Sequence, residues 1–111
     1  MEFDETQHFT APRAITLRGL PSNQAVGFSA ERWIALCGST NARDNDPPYR
    51  DEQRAWYDVL RDVLPQEYDL QPTSRLLDRE IAYCALNAEN AADVAVFEKM
   101  LNRPQRQDEA V

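Results

Sequence analysis

The chain has 111 residues, 42% of them hydrophobic and 28% charged, and a net charge of −7, which suits one domain with one core and excludes a chain too polar to fold. No apolar run approaches the roughly 18 residues that a membrane-spanning helix needs. An acidic excess of this size repels nucleic acid and anionic lipid and favours encounters with basic surfaces.

The excess is uneven. Residues 1–50 carry six acids and five arginines, net −1, whereas residues 51–111 carry thirteen acids and seven bases, net −6. Met1 is followed by Glu2, Asp4 and Glu5, unlike the basic and then apolar start of a secretory signal, so a cytoplasmic location is expected.

In chain order, residues 1–12 have no periodicity and end at a proline, which predicts a flexible N-terminal segment from which Phe3 and Phe9 can still dock. Residues 14–20 alternate Ile15 and Leu17 with Thr16 and Arg18 and predict a short strand. Residues 25–28 would pair with it across Gly19, Pro21 and Asn23, making a β-hairpin that must lean on helices to be stable.

Residues 29–38 carry helix boundary signals. Ser29 suits the cap, Glu31 the first turn, Phe28 and Trp33 a hydrophobic staple, and Gly38 the stop. Ala30, Trp33, Ile34 and Cys37 share one face, so this helix should dock through Trp33. Residues 39–49, rich in Asn, Asp and Pro, predict an exposed loop.

Residues 51–64 place Ala55, Trp56, Val59, Leu60, Val63 and Leu64 in one apolar stripe, ending before Pro65. Trp56 is expected in the core. Tyr57 lies at its edge, and Arg54, Asp58, Arg61 and Asp62 form a solvated, salt-bridged outer face. Thr73 or Ser74 would cap a third helix over residues 75–89, burying Leu77, Ile81, Cys84 and Ala88 and turning Arg75, Asp78, Arg79 and Glu80 to water. Asn90 and Asp93 resemble a capping pair for a last helix from Ala91, burying Val94, Phe97 and Leu101 and stopping before Pro104. The expected fold class is mainly α: a small four-helix domain over residues 13–103 with a short N-terminal β-hairpin, and a disordered tail over residues 104–111.

The chemistry is sparse. Cys37 and Cys84 sit in apolar patterns without Cys or His neighbours and read as buried reduced thiols. A single histidine, His8, and two isolated cysteines do not make a zinc site or a catalytic triad. Three glycines do not make a phosphate loop, and Cys37 at a helix C-terminus is held unreactive. Asp44 and Asp46 alternate like calcium ligands, but the rest of a calcium loop is absent. No basic stripe with interleaved aromatics is evident.

These readings predict no enzyme, no metal and no cofactor. They predict a small acidic cytoplasmic protein-binding protein of the inhibitor or immunity type, which blocks a basic nucleic-acid-handling partner without touching nucleic acid or membrane itself. Phage antagonists of host defence and toxin-neutralising proteins share this physical profile. The expected contact residues are Tyr49, Tyr57, Asp58, Asp62, Glu67 and Tyr68, and self-association through an apolar patch is a variant. The alternative is a structural or assembly subunit, such as a small chaperone or virion-associated component, docking by a helical face.

Overall fold

A computed structural model describes residues 1–78 and 86–101. Among them are four α-helices and one two-stranded sheet, so the fold is mainly α with a minor β element.

The chain starts with strand β1, Glu2–Asp4, followed by a 3-10 turn, Thr6–His8. The prediction of a flexible lead-in is corrected here. Asp4, Phe9 and Thr10 are buried, and the Phe9 carbonyl accepts from the Ala42 amide at 2.9 Å.

The predicted strand over residues 14–20 is also corrected, because residues 14–18 belong to helix α1, Ala11–Arg18, and Gly19 caps it. The Thr10 hydroxyl accepts from the Arg13 amide at 3.2 Å, and Pro12 occupies the first turn, where its missing N–H costs nothing. Arg13, Ala14 and Leu17 turn inward and Ile15 turns to water. The predicted hairpin partner, residues 25–28, instead makes a parallel bridge from Gly27 to Ser74.

Helix α2, Ala30–Thr40, begins at its predicted cap, with the Ser29 hydroxyl accepting from the Arg32 amide at 3.2 Å. Gly38 does not end it. The helix runs on to Asn41, whose φ of 45° supplies the left-handed cap that asparagine tolerates. As expected, α2 docks through Trp33, which is 3% exposed, and Cys37 is buried beside it as a free thiol. Burial pushes that thiol's pKa up, against the pull of Arg13 and Arg18. Trp33 meets Phe28 at 5.3 Å and Phe9 at 6.0 Å between ring centroids, both tilted. With Ala14, Leu17, Val26 and Leu77 these rings form the apolar core.

Helix α3, Arg50–Glu67, is longer than predicted and includes Pro65 in its last turn. Proline leaves the Arg61 carbonyl without its helical donor, and the Thr73 hydroxyl donates to that carbonyl at 2.7 Å instead. The facing of α3 departs from the expectation at Trp56 and Leu64, which are exposed, although Ala55 is buried as predicted. Its buried residues are Asp51, Ala55, Asp58 and Asp62, while Trp56 is 58% exposed.

Residues 75–77, predicted as helix, form strand β2, Arg75–Leu77. It pairs in parallel with β1 in the register Glu2 to Arg75, Phe3 to Leu76 and Asp4 to Leu77. Arg75, expected in water, is buried. The predicted buried residues Ile81 and Cys84 lie outside the described residues, as does the tail over residues 104–111. Helix α4, Ala91–Leu101, starts where predicted, with Asn90 Oδ1 accepting from the Ala92 and Asp93 amides at 2.9 and 3.2 Å. Val94 and Phe97, expected to be buried, remain partly open to solvent. Among the described residues no helix is long and apolar enough to cross a membrane.

Candidate functional site

Four elements bring ionised side chains together beside the aromatic core. Arg75 on β2 is the hub. Its Nη1 donates to Asp4 Oδ1 and Oδ2 at 3.0 and 3.2 Å, its Nε to Asp62 Oδ1 at 3.0 Å, and its Nη2 to the Asp58 carbonyl at 3.1 Å. Arg13 on α1 reaches the other oxygen of Asp62 through Nη1 at 2.7 Å. The Trp33 indole N–H donates to Asp4 Oδ2 at 2.7 Å. Both guanidiniums also lie near the ring of Phe28, Arg75 at 5.5 Å and Arg13 at 6.0 Å from its centroid. This cluster ties α1, α3, β1 and β2 together through charge-assisted hydrogen bonds.

His8 closes the cluster at its solvent edge. Its Nδ1 is 3.1 Å from Asp58 Oδ2 and 3.7 Å from Asp4 Oδ1. Asp4, Asp58 and Asp62 outnumber Arg13 and Arg75 by one charge, and an imidazolium at His8 cancels the difference. Burial opposes that charge, but the hydrogen bond to Asp58 and the charges of Asp58 and Asp4 outweigh it, so the His8 pKa stands above its ordinary 6.5. Burial likewise works against ionised Asp58, and His8, Arg75 and Arg13 overcome it, holding its pKa below 3.8. For Arg75, burial is overcome by Asp4, Asp62 and Asp58, and its pKa is raised.

A pH dependence of stability follows. The His8 contribution is complete below about 6.5 and is lost as pH rises through the higher folded value; the Asp58 contribution is complete above about 3.8 and is lost as pH falls through the lower folded value. Thermal unfolding followed by circular dichroism should therefore show the midpoint falling as pH rises above about 6.5, and His8→Gln should flatten that fall. An equal slope in the variant would remove His8 from the account.

The second candidate surface is the outward side of α3. At 100° per residue the stretch from Gln53 through Trp56, Tyr57, Leu60 and Leu64 to Glu67 lies opposite the buried Ala55, Asp58 and Asp62. Trp56 is 58%, Tyr57 49% and Leu64 42% exposed, and Tyr68 stands at the end of the helix, also exposed. Tyr49 caps the start of the helix at φ 67° and is 76% exposed. A bulky residue in that conformation is strained.

Of the six predicted contact residues, Tyr49, Tyr57, Glu67 and Tyr68 are on this outer surface, whereas Asp58 and Asp62 are each 2% exposed. The reading of those two aspartates as a solvated face is corrected, because their counter-charges are Arg13 and Arg75 and not the neighbouring Arg54 and Arg61 alone. Sequence reasoning missed Asp4, His8, Arg13 and Arg75, whose partners are distant in the chain. It also placed Trp56 in the wrong environment. The one available signal was the recurrence of Asp51, Ala55, Asp58 and Asp62 at the spacing of a single helical face.

Among the described residues no group of three or more His, Cys, Asp or Glu side chains is arranged to hold a metal ion. No family model, no curated protein and no solved structure matches the chain.

Proposed function

We propose that the chain is a small protein-binding protein that docks through the outer face of α3, most concretely an inhibitor or immunity-type factor that blocks a basic, nucleic-acid-handling partner. One observation carries this reading: α3 turns three aspartates inward and presents Trp56, Tyr57 and Leu64 to solvent. Exposed aromatics beside leucine have the composition of an interaction hot spot and serve no packing need. Glu52 and Glu67 flank this face, and the net charge of −7 favours a partner with a basic rim around an apolar groove. Tyr49, held in a strained conformation beside the loop, extends the same surface.

The test is affinity capture from the native host, with the captured protein then purified and titrated against wild-type chain and against Trp56→Ser/Leu64→Ser. The expected result is binding that weakens steeply with salt and is lost in the double variant, whose circular dichroism is unchanged. Binding that ignores salt and depends on Trp56 would favour an assembly subunit docking by apolar contact. Light scattering that shows a dimer abolished by the double variant would assign the face to a second copy of the chain. Undiminished capture by the variant would rule the face out.

A further inference from the structure

A shallow pocket of about 190 Å³ lies between the 3-10 turn and α3, on the arginine side of the helix and away from Trp56. Arg50, Arg54, Tyr57 and Arg61 line it at the spacing i, i+4, i+7 and i+11, a single stripe about 16 Å long. His8 and Asp58 also line it. Such a stripe interleaves arginines with an aromatic ring, and each arginine also has a carboxylate within 4 Å: Asp44 at 3.6 Å from Arg50, Asp51 at 3.5 Å from Arg54 and Glu2 at 3.2 Å from Arg61.

The arginines are held in place by contacts that occupy only part of each guanidinium. Arg50 Nη1 donates to the Asp46 carbonyl at 2.9 Å, and Arg54 Nη1 donates to the Gln7 carbonyl at 3.3 Å. Arg61 Nε lies 3.2 Å from Glu2 Oε1. Each guanidinium has five N–H donors, so further donors remain for a ligand. Asp58 does not make the pocket floor anionic, because Arg13, Arg75 and His8 neutralise it from beneath. Its bond to His8 Nδ1 also leaves Nε2 as the second donor of the imidazolium.

We propose that this pocket is an oxyanion site that takes a small molecule carrying a phosphate monoester. The donors decide the class. Three guanidiniums and an imidazolium offer more N–H groups than the two oxygens of a carboxylate can accept, whereas a phosphate has three terminal oxygens and a second negative charge. The volume decides the extent. It lies below the roughly 300 Å³ at which drug-sized ligands begin to be enclosed, so the pocket holds the charged group and leaves the remainder of the molecule against the Tyr57 ring or in water.

The site shares Tyr57 with the docking face, but its arginines and His8 lie outside that face. Its reporter is His8, the chain's single histidine, which gives one imidazole signal set in a nuclear magnetic resonance titration. The groups facing it are Asp4 from β1, Asp58 and the pocket arginines from α3, and Arg75 from β2. Titrating the full chain at pH 6.5 with inorganic phosphate and with a nucleoside monophosphate should move the His8 signals saturably and raise the midpoint of the imidazole titration. Tighter binding of the nucleotide assigns the natural ligand to an organic monoester, and equal binding assigns it to free phosphate. Succinate, a dianion of carboxylates, should bind about tenfold more weakly. Arg50→Ala/Arg61→Ala alters two surface residues, 46% and 52% exposed, and should weaken phosphate binding about tenfold or more at an unchanged melting temperature. A His8 signal that does not respond to millimolar phosphate would overturn the site. So would undiminished binding by the double variant, or succinate binding as tightly as phosphate.

Discussion

Replacing Arg75 with methionine is expected to cost about 3–5 kcal/mol of folding stability, measured as a shift in the midpoint of urea unfolding, because it strands buried charges. Arg75 hydrogen-bonds Asp4, Asp62 and the Asp58 carbonyl at once. Methionine matches much of its length but returns none of its donors, and Asp4 is left with the Trp33 indole and the longer approach of His8. Domains of this size have about 5–15 kcal/mol in total, so the variant should be unfolded or close to it under mild conditions. The cost reflects the penalty of an uncompensated charge and does not equal a net gain from the intact cluster, since buried ion pairs often do no better than well-packed apolar groups. An unchanged midpoint would mean that water reaches the cluster freely.

The two tryptophans should respond in opposite ways. Trp33→Ala removes a ring packed between Phe9 and Phe28 and deprives Asp4 of a donor, and is expected to cost about 3–5 kcal/mol. Trp56→Ala removes a ring that is 58% exposed and should change stability by less than about 0.5 kcal/mol. Urea unfolding of both variants measures the contrast. A large loss at Trp56 would mean that the apolar side of α3 is part of the core and would leave the docking proposal without its surface.

That contrast also marks where sequence reasoning succeeds. Helix α2 was legible because its cap at Ser29, its staple and its apolar face around Trp33 are all encoded within a dozen neighbouring residues. Helix α3 was legible as a helix and misread in its facing. The rule that the apolar stripe points inward assumes that aspartate stays in water, and it fails once Arg13 and Arg75, 49 and 13 residues from Asp62, fold back onto it. Helix α1 was missed because Pro12 was taken as the end of a segment when it marks the first turn of one. Strand β2 was missed because only a partner at the far end of the chain makes residues 75–77 extended. The arginine stripe on α3 was present in the spacing and overlooked because net charge was weighed before local pattern.

The pairing of β1 with β2 has a consequence for synthesis. Asp4 is synthesised 71 residues before its guanidinium partner, and at ordinary elongation rates the wait is roughly 4–14 s. During that interval Phe9, α1 and α2 are already available to pack, while the first strand lacks its paired strand and Asp4 lacks its guanidinium. Residues 2–4 are therefore among the last to find their native place, and a ribosome halted before it adds Arg75 should display them accessible to protease.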